Sequence, residues 1–174
     1  MTRIAIIGNA GGGKSTVSRK LRRILGLPLH SIDQLQWLPG WKQAPKESVA
    51  STHAQLIEQP RWIIDGWGNF DLIEARFRQA DTIVLIDYPL WRHYWWAIKR
   101  QIACLFRPRI DFPKDCPMLP MTWPLLKMIW ATNKYALPRL RSLVSQQDLE
   151  KKVFHVRTLA DLRAFYREAN ASAQ

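Results

Sequence analysis

A glycine-rich segment near the start of the chain is the feature that most constrains its fold. Residues 8–15 read Gly-Asn-Ala-Gly-Gly-Gly-Lys-Ser and fit the pattern G-x-x-x-x-G-K-[ST] at every fixed position. An apolar run precedes the segment at residues 4–7, and a helical pattern follows it. Glycines let successive backbone N–H groups turn toward phosphate oxygens, and a helix beginning near Lys14 directs its positive end at the same anion. The segment therefore predicts a strand, a phosphate-binding loop and a helix.

The residue types in this loop indicate how a nucleotide would be held. The Lys14 ammonium would reach the β- and γ-phosphates, and the Ser15 hydroxyl would ligate Mg²⁺. We therefore expect Lys14 to act in catalysis and Ser15 to bind the metal ion. The nucleotide-binding residues predicted in this segment are Gly8, Asn9, Ala10, Gly11, Gly12, Gly13, Lys14, Ser15 and Thr16.

Short apolar runs alternate with helical patterns along the rest of the chain. Strands are predicted at residues 3–7, 27–32, 62–65, 82–87 and 152–156. Helices are predicted at residues 14–25, 46–59, 72–79, 90–106 and 122–144, with a kink near Pro138, and a last helix capped by Thr158 and Asp161 ends near residue 169. Residues 33–45 and 107–120 are predicted to be irregular. This alternation predicts an α/β fold in which helices cover both faces of a parallel sheet and ligands bind at the carboxyl ends of the strands.

Three acidic residues fall at or just after the predicted strand ends. Asp65 is placed like the strand-end acid that holds Mg²⁺ in P-loop proteins, and Gly66 behind it allows a ligand to approach the backbone closely. Asp87 has a similar setting, so the sequence leaves it open as an alternative metal ligand. Asp33 follows the second strand, where its carboxylate would accept a hydroxyl proton from the acceptor. We expect Asp33 to be catalytic, with the acceptor bound by residues 33–60.

Positive charge is concentrated in the second half of the chain. Residues 90–143 contain ten Lys and Arg against two acids, in a chain whose net charge is +12. In residues 90–101, aromatic side chains are interleaved with cations, and Arg92, Trp96, Lys99 and Arg100 share one helical face. This segment has three interpretations: a lid that clamps nucleotide phosphates, ordinary packing of an aromatic stripe, or a surface for a nucleic acid or membrane.

Length and composition set the remaining expectations. The 174 residues are 47% hydrophobic, which is enough for a single domain with a core of its own. No stretch approaches the ~18 apolar residues of a membrane span, and no signal-like stretch is present, so we expect a cytoplasmic protein. Cys104 and Cys116 are too few to indicate a zinc site.

Together these motifs resemble the adenylate-kinase-like branch of the P-loop kinases, and more narrowly a bacterial group labelled "DNA topology modulation protein". The resemblance rests on residues 8–15, 29–35, 39–41, 62–66 and 87–89 and spans most of the chain. It implies a three-layer fold with a five-stranded parallel sheet of order 2-3-1-4-5 and a helical, basic lid at about residues 90–143. It also implies ATP-phosphate ligands at Lys99 and Arg100, near where adenylate kinases have an arginine pair, with Arg100 among the catalytic residues.

Two departures from known patterns limit the choice of substrate. Adenylate kinases follow Asp-Gly with Phe-Pro-Arg, whereas this chain has Trp-Gly-Asn at residues 67–69, so the arginine that grips a nucleoside monophosphate is absent there. Residues 133–136 read Asn-Lys-Tyr-Ala, and Ala136 stands where a GTPase has its guanine-binding acid. The acceptor is therefore open, and GTP specificity is not supported.

The leading hypothesis is an ATP- and Mg²⁺-dependent phosphotransferase that acts on a small acceptor, nucleotide or other. The alternative is an ATP-binding regulator or weak ATPase whose basic, Trp-rich region contacts DNA. A third possibility is a scaffold that binds ATP without hydrolysing it.

Overall fold

Five parallel strands form a central sheet in the computed structural model, which describes residues 1–104, 117, 119–147 and 151–173. The strands of the described chain are β1 (Arg3–Gly8), β2 (Leu29–Ser31), β3 (Trp37–Leu38), β4 (Lys42–Gln43), β5 (Trp62–Asp65), β6 (Thr82–Ile86) and β7 (Lys152–Val156). The main sheet has the order β2-β5-β1-β6-β7, and β3 pairs with β4 in a separate hairpin. Without the hairpin, the chain order of the sheet strands is 2-3-1-4-5, which confirms the predicted fold class.

Helices cover both faces of this sheet. They are α1 (Lys14–Leu25), α2 (Ile32–Leu35), α3 (Lys46–Ile57), α4 (Phe70–Gln79), α5 (Leu90–Cys104), α6 (Thr122–Ala131), α7 (Leu137–Ser145) and α8 (Leu159–Ala171). Alternate residues of β1 enter different cores: Ile6 packs with residues of α1 and α8, and Ile7 packs with residues of α4 and α7. Because successive side chains of a strand point to opposite faces, an uninterrupted apolar strand indicates a sheet buried on both sides.

The helical stretch predicted at residues 122–144 is divided into two helices, whereas the sequence predicted one helix with a kink near Pro138. A π-helical turn (Thr132–Ala136) separates α6 from α7, and Pro138 lies in the first turn of α7. Proline has no N–H and its ring crowds the carbonyl four residues earlier, so the chain widens its turn before Pro138. The capping box predicted for α8 is confirmed, since the side chains of Thr158 and Asp161 each bond the other residue's backbone N–H.

Residues 33–45 are more regular than the sequence indicated. They contain most of α2 and the β3–β4 hairpin, whose strands are joined by a 3₁₀ turn with Gly40 at a φ of 74°. Trp37 packs edge-on against Trp41 with their ring centroids 5.3 Å apart, and this contact stabilises the hairpin. The hairpin was missed because each of its strands has only two residues, too few for an apolar alternation, and because it is closed by a pair of tryptophans instead.

Several predicted boundaries shift by a few residues. The second strand begins at Leu29 rather than at residue 27, and α4 begins at Phe70 because the Asn69 side chain accepts a hydrogen bond from the Asp71 N–H. Most of the predicted loop at residues 107–120 and Cys116 lie outside the described residues. In the part of the chain that is described, the structure contains no helix with the length and apolarity needed to span a bilayer.

Candidate active site

The loop between β1 and α1 presents backbone N–H groups to a ligand. Gly13 is the N-cap of α1 and has a φ of 79°, a left-handed conformation that favours glycine. Gly13 has no side chain that could cap this end of the helix, and the first turn of α1 contains no acid. The first N–H groups of a helix lack intrahelical partners and attract anions. This end of α1 is therefore suited to bind a phosphate group.

Lys14 lies at the centre of a cluster of charged groups. Its side chain is 8% exposed, and its Nζ donates a hydrogen bond to the Asn9 carbonyl at 3.1 Å. Burial lowers the pKa of Lys14; nearby Asp33 and Asp65 oppose this shift, and Arg100 and Arg76 add to it. The structure therefore brings together Lys14, Arg100, Asp33 and Asp65, all of which were predicted from the sequence, and adds Arg76.

Asp65 and Asp87 differ in how their carboxylates are used. Asp65 is 2% exposed and accepts a hydrogen bond from Ser18 Oγ at 2.7 Å, and burial raises its pKa. Asp87 accepts two bonds from Arg141, at 2.8 and 2.9 Å, and lies 2.6 Å from His155 Nε2. Asp87 is thus engaged in an ion-pair network, whereas Asp65 lies beside Lys14. Ser15 is half-buried at the start of α1.

The sequence analysis expected Gly66 to let a ligand approach the backbone. In the structure the close contact of Gly66 is with the side chain of Asp33. A Cβ atom on Gly66 would lie 2.7 Å from Asp33 Oδ1, and Gly66 has a φ of 98°. The same Asp33 oxygen accepts a hydrogen bond from the Trp67 N–H at 3.3 Å. The glycine therefore lets the turn after β5 pack against Asp33 and fix the position of its carboxylate, which the sequence alone did not indicate.

Arg76 is a site residue that the sequence analysis missed. Its side chain is fully buried, and its Nη2 donates to the Gly66 carbonyl at 3.0 Å. Among the described residues, its Nε and Nη1 have no hydrogen-bond partner. Burial lowers its pKa to about 10, against the effect of Asp65 and Asp33. A signal was present in the sequence, since Arg76 stands between Ile73 and Phe77 on the apolar face of α4.

Helix α5 packs directly against the phosphate-binding loop. His93 Nδ1 lies 2.9 Å from the Ala10 carbonyl oxygen. Cβ atoms on Gly11 and Gly12 would lie 2.6 Å from the His93 carbonyl oxygen and 2.9 Å from its Cε1. The approach of α5 therefore requires glycine at both positions.

A second contact joins the loop to α6. Asn9 is fully buried, and its side-chain amide donates to the Ile129 carbonyl at 2.8 Å. Its Oδ1 accepts a hydrogen bond from the Ala10 N–H at 2.7 Å. The sequence analysis placed Asn9 in the loop but gave no indication of this contact, because it spans residues far apart in the chain.

The four residues of the predicted lid face of α5 lie in different environments. Arg100 is close enough to Lys14 to perturb its pKa, whereas Lys99 is exposed. Arg92 lies over the Tyr88 ring at 5.1 Å, and Trp96 packs edge-on against that ring with centroids 5.1 Å apart. Arg92 and Trp96 therefore belong to a packed aromatic cluster, and the lid role of Lys99 stays a prediction.

A cavity of about 440 Å³ lies beside the hairpin, bordered by α3 and by the loop that leads into α4. Its polar lining residues are Gln36, Gln43, Lys46, His53 and Asn69. The turn after β5 runs from Gly66, which contacts Asp33, to Gly68, which lines the cavity. One short turn of the chain therefore contacts Asp33 at one end and lines the cavity at the other.

His53 is fully buried in this cavity wall. A Cβ atom on Gly68 would lie 3.2 Å from its Nδ1, so the turn packs closely on the ring. Neither ring nitrogen has a hydrogen-bond partner in the described part of the chain. Burial, aided by the Arg76 charge, lowers its pKa to about 4, so the imidazole is neutral near pH 7.

Comparison with known proteins identifies the fold. A shikimate kinase from Acinetobacter baumannii in complex with shikimate has a TM-score of 0.60 and 16% identity, over 100% of this chain and 95% of that one. A gluconokinase from Sinorhizobium meliloti has a TM-score of 0.54 and 15% identity, over 99% and 91%. A putative kinase from Chloroflexus aurantiacus has a TM-score of 0.50 and 16% identity, over 97% and 99%.

The chain has the fold of the P-loop kinases. No family model and no curated protein matches the chain. The narrower resemblance to the "DNA topology modulation protein" group is not confirmed by these comparisons, and they give no support to DNA binding. At these levels of identity the likeness establishes the fold, and function has to be argued from the site.

Proposed function

We propose that this protein is an ATP- and Mg²⁺-dependent kinase that phosphorylates a hydroxyl group of a small molecule. The observation that carries the proposal is the juxtaposition of Lys14, Asp33, Asp65, Arg76 and Arg100 at the N-terminal end of α1. The cluster has three cations against two acids, a balance that favours a polyanion. Phosphoryl transfer requires positioned cations and a positioned acceptor more than covalent help from the protein.

The nucleotide would bind through the loop at residues 8–16. The amides of the loop and of the first turn of α1 would contact phosphate oxygens, and Lys14 would leave the Asn9 carbonyl to neutralise the transferred group. Arg100, and by prediction Lys99, would approach the same phosphates from α5. Trp67 supports this arrangement, because its Nε1 donates to the Gly8 carbonyl at 2.7 Å and fixes the start of the loop.

The residues beside the loop fit a magnesium ion. Ser15 and Asp65 offer the hydroxyl and carboxylate oxygens that Mg²⁺ prefers, and a cation near Asp65 would offset the burial that raises the pKa of that carboxyl. Bound Mg²⁺ supplies positive charge against the phosphate oxygens during transfer.

The acceptor would occupy the cavity, with its reacting hydroxyl near Asp33. A bond forms between that oxygen and the γ-phosphorus, the bond from the γ-phosphorus to the bridging oxygen breaks, and ADP leaves with the electron pair. The hydroxyl proton passes to the Asp33 carboxylate. The amides of Gln36, Gln43 and Asn69 would bind further hydroxyl groups, since each can both donate and accept. The neighbours named shikimate kinase and gluconokinase are likewise kinases of small molecules.

Coupled measurement of ADP release tests the proposal. The purified protein is assayed with Mg²⁺ and ATP against nucleoside monophosphates, nucleosides, sugars and hydroxy acids, with a reaction lacking acceptor as the baseline. We expect at least one acceptor to raise ADP release above this baseline. We also expect Lys14→Ala to lower kcat by about a hundredfold or more, as for the loss of one preorganised group in a buried site.

A matched lysine on the same helix provides the control. Lys20 lies six residues after Lys14 in α1, and its Nζ is 3.9 Å from the centre of the Tyr166 ring. Lys20→Ala should retain the activity of the parent protein. An ADP-release rate that is unchanged in Lys14→Ala would exclude the proposed enzyme.

A further inference from the structure

A row of large apolar side chains is exposed along one side of α5. Its members are Trp91, Trp95, Ile98 and Ile102, which are 61%, 60%, 42% and 55% exposed. Spacings of four, three and four residues place all four on one side of the helix. Single exposed apolar residues are ordinary on a soluble protein, but an aligned row of four marks an interaction surface.

Helix α6 and the π turn also expose aromatic side chains, with lysines beside them. Trp123, Trp130 and Tyr135 are 65%, 47% and 64% exposed. Lys127 Nζ lies 5.5 Å from the Trp123 ring centre, and Lys134 Nζ lies 4.8 Å from the Trp130 ring centre. We call these exposed apolar residues of α5, α6 and the π turn, with their neighbouring cations, the aromatic–basic surface.

The charge of this region indicates that its partner carries negative charge. Residues 90–104 and 119–136 contain five Lys and Arg and no Asp or Glu. One of the five, Arg100, acts on Lys14, and the other four are Arg92, Lys99, Lys127 and Lys134. Such a one-sided distribution attracts a surface with dense negative charge and repels a second copy of the same surface. The partner must therefore be anionic and must also accept exposed apolar groups.

We propose that the aromatic–basic surface binds an anionic lipid bilayer. Indole rings are favoured at the boundary between headgroups and acyl chains, while Lys and Arg attract anionic headgroups. With its apolar row and neighbouring cations, α5 resembles the helices that lie in the plane of the membrane interface.

Exposed aliphatic side chains distinguish a bilayer from a nucleic acid. Ile98, Ile102 and Met128 are each at least 42% exposed. Aromatic rings gain free energy by stacking on bases, but aliphatic side chains gain it when they leave water for an apolar medium. A surface shaped for single-stranded nucleic acid alone would not need these three residues.

The inner side of α5 connects this surface with the candidate active site. His93, Ala97 and Gln101 are buried, and His93 contacts the phosphate-binding loop. A bilayer on the outer side would lie about one helix diameter, roughly 10 Å, from that loop. Membrane binding and nucleotide binding would thus act on opposite sides of the same helix.

Vesicle sedimentation of the full chain tests the proposal. Vesicles of phosphatidylcholine alone are compared with vesicles that also contain phosphatidylglycerol. We expect binding only to the anionic vesicles, a blue shift of tryptophan emission on binding, and residual binding at high salt from the apolar contacts. Replacing two exposed tryptophans in W91S/W95S should weaken binding by about a hundredfold, since each buried indole contributes roughly a factor of ten or more.

A control and two competing outcomes complete the design. Leu159→Ser removes a residue of α8 that is 44% exposed, and it should bind vesicles like the parent protein. Equal binding by W91S/W95S and the parent would overturn the proposal, because charge alone would then suffice. Tighter binding to DNA without vesicle binding, or a dimer that W91S/W95S abolishes without vesicle binding, would overturn it as well.

Discussion

The glycines of the phosphate-binding loop differ in what surrounds them. Gly11 and Gly13 both have left-handed φ angles, 74° and 79°, but a Cβ on Gly11 would lie 2.6 Å from the His93 carbonyl oxygen. Among the described residues, apart from its chain neighbours, none lies within 4 Å of a Cβ on Gly13. Alanine at Gly13 should therefore cost only the left-handed strain, about 1 kcal/mol. Alanine at Gly11 must also displace α5, for a total of about 3 kcal/mol. Urea unfolding of both variants measures the difference, and equal losses would contradict the packing of α5 on the loop.

The buried imidazole of His53 predicts how stability depends on pH. Its pKa is lowered to about 4 in the folded protein, so between about pH 4 and 6.5 the unfolded chain binds a proton that the folded chain does not. Stability should therefore fall with falling pH in this window, by about 2 kcal/mol between pH 7 and 5 from this group.

The variant His53→Gln isolates this contribution. It cannot titrate, and the other histidines are unchanged, so the loss of unfolding free energy between the two pH values should be smaller than in the parent protein. Urea unfolding at each pH measures it. The same loss in both proteins would mean that His53 is already protonated or is not buried.

At the scale of elements, the contact between α5 and the loop should govern nucleotide affinity. Burial lowers the pKa of His93, and a carbonyl can only accept, so the neutral ring donates from Nδ1 to Ala10. His93→Phe keeps a ring but leaves the carbonyl unpaired, at a cost of about 1–3 kcal/mol. We expect about tenfold weaker binding of a non-hydrolysable ATP analogue by calorimetry.

Tyr94, the next residue of α5, offers the matched control. Tyr94→Phe removes a hydroxyl from the same turn of the helix and should leave the dissociation constant unchanged. A His93→Phe protein that is less stable but binds the analogue normally would show that His93 only packs, without positioning the loop.

The elements themselves were largely predictable because their signals are local. Apolar runs, the glycine motif and the α8 capping box each depend on residues close together in the chain, and all appear where the sequence predicted. The hairpin was missed because it depends on the Trp37–Trp41 pair, and the π turn because a proline predicts an interruption but not its form. The role of His93 was missed because it depends on a contact between separate elements, whereas Arg76 had a local signal in its position on the apolar face of α4.

At the scale of the molecule, the candidate nucleotide site joins elements from both halves of the chain. Lys14 begins α1, Asp65 ends β5 and Arg100 lies in α5, yet all three interact electrostatically. A ligand that binds at this point contacts residues that separate when the chain unfolds. Its binding free energy should therefore add to the stability of the whole domain.

Thermal unfolding with Mg²⁺ and a non-hydrolysable ATP analogue tests this coupling. At an analogue concentration of about 100 times its Kd, the folded state gains about 2.7 kcal/mol, which raises the Tm of a chain of this size by roughly 5 to 10 °C. Lys14→Ala should lose most of the increase and Lys20→Ala should keep it, since only Lys14 lies in the charged cluster. An unchanged Tm in the parent protein at any analogue concentration would mean that the loop does not hold a nucleotide, and the kinase proposal would fail with it.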